Sequence, residues 1–303
     1  SFIKDNVDKS AMSFLKLRAS WGRNGNVNIL SGYPYAATIS LNSQWYQYNP
    51  SDGNELTYGS GPTDMPNEKL KWETSEQYDL GIDARFLSDR LSVTVDWYKK
   101  MTKDLLLNFS PLPEIGVKSS VGNAGNVLNT GLEFELGWKD SIGDFQYGIN
   151  ANHETLHNEV LSLHESVPRL TGGGVSGLNN TIGTAFEPGY SIWYIRGYKY
   201  AGVDTETGVP TYYNADGEIV NEVRDADLQE IGQTIPSLTY GLTLNLAYKG
   251  FDMVIFGTGT AGNKIFPSSW RTDRPHCNTY DWYWENSWKK DGSNPNPKFP
   301  GTT

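Results

Sequence analysis

The sequence predicts an all-β chain: an antiparallel transmembrane β-barrel segment of about seven spanning strands with long external loops. Three observations carry that expectation. Seven stretches alternate apolar and polar residues with a period of two, the pattern of strands with one apolar face. The links between them alternate strictly between short and long. No run of about 18 apolar residues occurs, so the spanning element is not a helix. Tilted strands need only about 9 to 11 residues of alternating polarity to cross, which reconciles a mean hydropathy of −0.52 with membrane residence.

The elements follow in order. The first sets Leu15, Leu17, Ala19 and Trp21 against Lys16, Arg18 and Ser20. The second sets Tyr78, Leu80, Ile82, Ala84 and Phe86 against Asp79, Gly81, Asp83 and Arg85, and the third Leu91, Val93, Val95 and Trp97 against Ser92, Thr94 and Asp96. Leu132, Phe134, Leu136 and Trp138 form the apolar face of the fourth, and Phe145, Tyr147, Ile149 and Ala151 that of the fifth. The sixth runs from Tyr240 to Tyr248 with Leu242, Leu244 and Leu246 between. A weaker seventh runs from Phe251 to about Gly262, its alternation broken by Val254 and Phe256.

Tight links at LSDR (87–90), DSIGD (140–144) and KG (249–250) alternate with long ones at 23–71, 102–129, 157–235 and beyond 263. Outer-membrane barrels place short turns on the periplasmic side and long loops outside, a division that sandwiches rarely show. Aromatics near strand ends, Tyr78 and Phe86, Trp97, Trp138 beside Phe145, and Tyr240 with Tyr248, suit two interfacial belts. In a sandwich the same residues would be core. The stretch GYSIWYIRGYKYAG (189–202) resembles a further strand. Counting it as a span would place the KG turn outside, so 191–201 is expected to be an excursion in the external region. Seven spans cannot close a barrel, and open edges are not tolerated in hydrocarbon. The expected unit is therefore 1–303 as a single partial domain of a longer chain.

The net charge of −10 argues against a nucleic-acid partner, which needs a clustered basic surface. One cysteine, Cys277, excludes an intrachain disulfide framework. The opening SFIKDNVDKS lacks the features of a secretory signal, so either the protein is not exported or its true N-terminus lies elsewhere. GTGTAGNK (257–264) has the spacing of a phosphate loop, but NKIFPSSW with Pro267 follows where a helix is required, and the glycines are expected to bend or thin a strand. His153 and His157 have the spacing of ligands on a helix, yet lie on a strand. Adding His164 gives a loose cluster of hydrated histidines. Cys277 beside His276 shows no sign of a catalytic triad. Glu133 and Glu135 lie on one strand face, as a glycosidase pair would, but that face also carries Asp83, Arg85 and Lys16 and is expected to meet lumen water. No catalytic residue, cofactor or metal is predicted.

The loops carry the stronger functional signal. Trp45, Trp193, Trp270, Trp282, Trp284 and Trp288 fall in long connections, with Tyr46, Tyr48, Tyr194, Tyr280 and Tyr283. Aromatic faces stack on sugar rings or receive peptide side chains, and they also anchor protein partners. Of these, Trp45, Tyr46, Tyr48, Trp193, Tyr194, Trp270, Tyr280, Trp282, Tyr283 and Trp284 are the candidates for substrate or lid contact.

The blocks LKLRASWGRNGN, NEKLKWETSEQYDLGIDARFLSDRLSVTVDWYKKMTKDLLL, VGNAGNVLNTGLEFELGW and PSLTYGLTLNLAYKGFDMVIFGTGTAGNKIF stand in this order. From about Phe14 to Phe299 the chain resembles the C-terminal barrel half of SusC/RagA-type TonB-dependent transporters. The resemblance implies a 22-stranded barrel in the bacterial outer membrane, a multi-pass protein with lipid around it and an N-terminal plug inside. It also implies energy from the TonB–ExbB–ExbD complex, a SusD-like surface lipoprotein as lid, and import of an oligosaccharide or oligopeptide; the aromatic loops put glycan ahead of peptide. Plug, TonB box and early strands would precede Ser1, and the final strands would follow Thr303. Many relatives carry a calcium-loop-like stretch before the PxxTYG strand. Here YYNADGEI (212–219) has Tyr212 in place of the first ligand and Val223 at the closing position, so a plain DG turn is expected. The alternative to the importer is a secreted all-β carbohydrate-binding or adhesin module.

Overall fold

A computed structural model describes residues 11–26, 39–47, 56–62, 67–109, 120–164, 167–174, 182–265 and 280–301. The strands in chain order are β1 (Met12–Asn26), β2 (Ile39–Gln47), β3 (Leu56–Pro62), β4 (Glu73–Phe86), β5 (Leu91–Phe109), β6 (Ser120–Ile142), β7 (Phe145–Leu163), β8 (Leu170–Gly174), β9 (Gly183–Phe186), β10 (Tyr194–Gly197), β11 (Lys199–Val203), β12 (Pro210–Tyr213), β13 (Ile219–Val220), β14 (Gln229–Gly232), β15 (Leu238–Tyr248) and β16 (Phe251–Ala261). A short α-helix, α1, spans Asp281–Asn286.

The seven strands expected to span form one sheet in the order β1-β4-β5-β6-β7-β15-β16, with β1 and β16 at its edges. The four pairs from β1 to β7 are antiparallel. The stretch 189–202 contributes β10 and β11, which belong to a four-stranded and a three-stranded sheet apart from this one, as the parity of spans requires. A further small sheet pairs β2 with β3. By contact density the chain divides into two compact units, Ser1–Pro168 with Gly241–Gly257, and Arg169–Tyr240 with Thr258–Thr303.

One expectation is corrected. The link assigned to 102–129 is largely strand, since β5 continues to Phe109 and β6 begins at Ser120. Backbone pairing extends past the apolar band, and beyond it no lipid imposes alternation on the side chains.

The tight links have the chemistry that hairpins demand. Lys249 and Gly250 both have positive φ, 46° and 87°, which is the geometry of a two-residue turn whose twist matches its strands. At the first link Leu87, Ser88 and Asp89 all take positive φ, a costly choice for residues with a Cβ. Contacts hold the turn: within it the Arg90 amide donates to the Leu87 carbonyl at 3.3 Å, and from β1 Ser13 donates to the Asp89 carboxylate at 2.6 Å.

Between the turns and the loops lies a constant apolar span. Phe86 to Tyr78 and Tyr248 to Tyr240 are each nine residues of strand, eight steps along the chain, ending in aromatics. That length is about 26 Å along a strand and roughly 20 Å along the normal at a 40° tilt, close to the apolar band of an outer-membrane barrel. Its outward side chains are bare: Leu17 is 73% exposed, Leu80 54%, Leu132 51% and Leu242 53%. Among the described residues no second sheet covers them, whereas a soluble sandwich would bury this face.

Candidate functional site

The opposite face of the sheet is polar, and the register groups its residues in rows. Arg18, Gly81, Asp96, Glu133 and Glu154 stand side by side across β1, β4, β5, β6 and β7. Gly81 makes the row possible, because a Cβ there would collide with the Asp96 carboxylate and the Arg18 guanidinium. Across that gap Arg18 reaches over β4 to Asp96 at 2.8 Å and holds Asp83 through two bonds of 2.9 Å each. Thr94 adds a hydroxyl to Asp83 at 3.3 Å. The same device recurs one row higher, where the Tyr98 ring lies over Gly131 of β6 and donates to Glu154 of β7 at 2.9 Å. Ser20 and Gln77 both donate to Asp79, at 2.8 and 2.7 Å.

Ion pairs this open to solvent add little to stability. Their effect here is positional, fixing a continuous polar surface of carboxylates, amides and hydroxyls. Glu133 faces Glu154 across the strands while Glu135 faces Asn152, so the carboxylates expected on the lumen side are there. His153 and His157 share one face of β7 four residues apart, about 13 Å along a strand, too far to bind one metal ion. Instead His157 sits 3.1 Å from the Glu159 carboxylate.

The loop aromatics divide into two kinds. Trp193, with φ of 51°, is 37% exposed and tilts against Phe186 at 5.5 Å. Its neighbour Tyr194 is 2% exposed and stacks on Tyr190 at 4.5 Å, and burial pushes its phenol pKa up. In α1, Tyr283 stacks on Phe299 at 4.5 Å and is half-buried, so desolvation raises its phenol too. Tyr280, Trp282 and Trp284 stay exposed, with the Lys289 ammonium 2.9 Å from the centroid of the Trp284 ring. Trp288 is spent on packing: its indole N–H donates to the Thr205 carbonyl at 2.8 Å and its ring covers Gly208 and Gly301. Trp45 and Tyr46 lie in β2 opposite Tyr58 and Thr57 of β3. Tyr48, Trp270, His276 and Cys277 lie outside the described residues.

The sequence reading did not single out Tyr190 or Phe299, the rings that hold Tyr194 and Tyr283 in place. Tyr190 stands at the start of the strand-like stretch 189–202 and Phe299 lies near the end of the chain, and neither position signals which neighbouring ring it packs against.

The DG turn forms as expected. The Asn214 side chain accepts from the amides of Asp216 and Glu218 at 3.0 and 2.8 Å, and Gly217 takes φ of 83°. The buried Asp227 carboxylate closes this turn by accepting from the amides of Ala215 and Arg224 at 3.1 and 2.8 Å, which holds it below the usual carboxylate range. The GTGTAGNK glycines serve the strand: the Tyr240 ring lies where a Cβ on Gly259 would be, and Gly262 turns at φ of 86°.

A lipid-facing apolar band, two aromatic belts and a polar face locked in registered rows define this sheet as the wall of a transmembrane β-barrel. The family model for the TonB dependent receptor-like β-barrel matches residues 11–249, and the chain belongs to that family of outer-membrane proteins. Among curated relatives it is 30% identical to TonB-dependent receptor P3 of Formosa agariphila and 29% identical to TonB-dependent receptor SusC of Bacteroides thetaiotaomicron, over 88% of this chain in both cases. These alignments cover 27% and 26% of the relatives, so the chain spans about a quarter of their length. Among solved structures, that of the RagAB peptide transporter shares the fold with a TM-score of 0.78 at 23% identity, covering 100% of this chain and 33% of that one. Together these make it a SusC/RagA-type barrel segment.

Proposed function

We propose that the protein containing this wall imports an oligomeric nutrient across the outer membrane, drawing energy from TonB–ExbB–ExbD, with a SusD-like surface lipoprotein as its lid. The observation that carries the reading is the two-faced sheet: bare and apolar toward lipid, polar and fixed by Arg18 and Tyr98 toward the lumen. Such a wall serves passage, and family membership supports nutrient import. The arrangement calls for no covalent chemistry.

The substrate proposed first is a glycan. Trp193 before β10 and Tyr280, Trp282 and Trp284 at and in α1 keep part of their rings exposed, and flat rings of low conformational entropy suit sugar faces. Tyr194 and Tyr283 would act indirectly, by holding these neighbours in place. RagAB is described as a peptide transporter, which makes an oligopeptide the competing substrate.

The test is to extract the full-length parent from bacterial outer membranes in mild detergent, identify what co-purifies, and then measure TonB-dependent uptake of labelled oligosaccharides and oligopeptides. A stoichiometric lipoprotein with saturable oligosaccharide uptake is the expected result. Peptide uptake alone would overturn the glycan assignment, and recovery from the soluble fraction without a lipoprotein would overturn the importer.

A further inference from the structure

The upper edge of the apolar band carries a feature that neither the lumen face nor the loops explain. Glu76 of β4 points to the lipid side, two residues beyond Tyr78, and gathers three donors: the Trp21 indole at 3.2 Å, the Tyr78 phenol at 2.9 Å and the Lys103 ammonium at 2.6 Å. A carboxylate satisfied by two belt aromatics and a lysine marks where hydrocarbon gives way to headgroups. Two further cations flank it on the same face. Arg23 of β1 pairs in register with Glu76 and stands two residues beyond Trp21. Lys99 of β5 pairs in register with Tyr78 and stands eight residues from Leu91, the start of its strand.

Neither Arg23 nor Lys99 forms an ion pair among the described residues, since Glu76 is taken by Lys103. They lie on either side of β4, one strand spacing of about 4.8 Å away on each side. Both side chains are long enough to converge above the Trp21 and Tyr78 rings. The short turns place the opposite end of the band on the periplasmic side, so this edge meets the outer leaflet.

We propose that Arg23 and Lys99, above the Trp21–Tyr78 belt, bind the phosphorylated headgroup of an outer-leaflet lipid. The rings contact the upper acyl chains and sugar or glycerol body, while the guanidinium and ammonium share the phosphate. Charge complementarity and continuity with the bare apolar face both favour a lipid over a soluble anion, because only a lipid occupies rings and cations together. Lys100, the next residue in the chain, pairs with Gln77 and faces the other side of the sheet, which makes it an internal control.

The experiment uses the full-length parent, delipidated in zwitterionic detergent, with retained lipid read by native mass spectrometry. The probes are monophosphoryl lipid A, its dephosphorylated form, and inorganic phosphate as competitor. Wild type is expected to retain the phosphorylated lipid over the dephosphorylated one and to release it in high salt. At about fivefold per surface cation, Arg23→Gln or Lys99→Gln weakens retention about fivefold and the double variant roughly 25-fold. Lys100→Gln changes nothing, and Lys99→Arg restores binding. Equal retention of the two lipid forms overturns the proposal without needing any variant. Displacement by millimolar inorganic phosphate assigns the cations to a soluble anion and overturns it equally. Uptake is measured in parallel, so loss of the lipid site is distinguishable from failure of the importer reading.

Discussion

The wall and the loop unit solve the same problem in opposite ways. In the loop unit Ala185, Phe186, Tyr194 and Ile195 are buried inside short strands. Its polar turn groups are satisfied locally by Asn214, Asp204 and Asp227. In the wall the large apolar residues lie outside and the charged ones are held in rows on the other face. Tyrosine shows the contrast best: Tyr194 is enclosed by its neighbours, while Tyr78 leaves its ring open and anchors its hydroxyl to Glu76. Low exposure reports a core only where the surrounding solvent is water. In the wall the exposed side chains are the ones buried, because lipid takes the place of the second layer.

Two substitutions test that inversion with the largest effects. Tyr194→Ala removes a fully enclosed aromatic and is expected to cost the loop unit about 3–5 kcal/mol, as large-to-small changes in packed cores do. Hydrogen exchange on the full-length parent should quicken in β9, β10 and β14 and stay unchanged in β4 to β7. Uniform protection in both regions would mean that the aromatic cluster does not hold the loop sheets. Ile82→Arg probes the other side. Ile82 is 47% exposed, and at a water-facing site the change would lie within about ±0.5 kcal/mol. Facing mid-bilayer it should cost about 2–4 kcal/mol, read from urea titration of the parent refolded into lipid vesicles. A shift below 0.5 kcal/mol would remove lipid from that face.

The wall was legible in the sequence because lipid on one side and water on the other impose period two on every span. Each of the seven alternating stretches is a strand, and the tight links fall at LSDR and KG as expected, while the one expected over DSIGD narrows to Gly143–Asp144 because pairing continues to Ile142. The strand extensions to Phe109 and from Ser120 were not legible, since pairing above the band leaves no hydropathy pattern. Nor was the reach of Arg18 to Asp96, because it depends on the register that brings Gly81 between them. In the loops the sequence located the aromatics but could not divide them: Trp193 and Tyr194 are adjacent, and only the packing of Phe186 and Tyr190 makes one open and the other enclosed.

Glycine provides a sharper test of the wall's polar rows. Gly81→Leu forces Arg18 and Asp96 apart and is expected to cost about 1–3 kcal/mol, the range for overpacking. Gly22→Ala on β1, where a Cβ meets nothing within 4 Å, should be close to neutral or slightly stabilising. In an Asp96→Asn background the Gly81→Leu penalty should shrink, because part of what it breaks is already gone. Equal costs for the two glycines would show that the crossing over β4 contributes nothing.

The smallest effect is the pH response of the loop unit. Asp227 is 2% exposed and its carboxylate accepts from the amides of Arg224 and Ala215, so it is more acidic folded than unfolded. A carboxyl depressed on folding adds stability that is fully present above its unfolded value, about 3.9, and is lost as the pH falls through the folded one. Acidification from pH 5 should therefore loosen residues 213–228, seen as faster exchange after correction for the intrinsic rate of each amide. Asp227→Asn keeps an acceptor oxygen but no charge, and should flatten that dependence while raising exchange at neutral pH. An Asn variant with the wild-type acid dependence would move its origin to another carboxylate, of which Asp204 is the next candidate. Its own acidity comes from the amides of Glu206 and Thr207, so Asp204→Asn would then carry the effect.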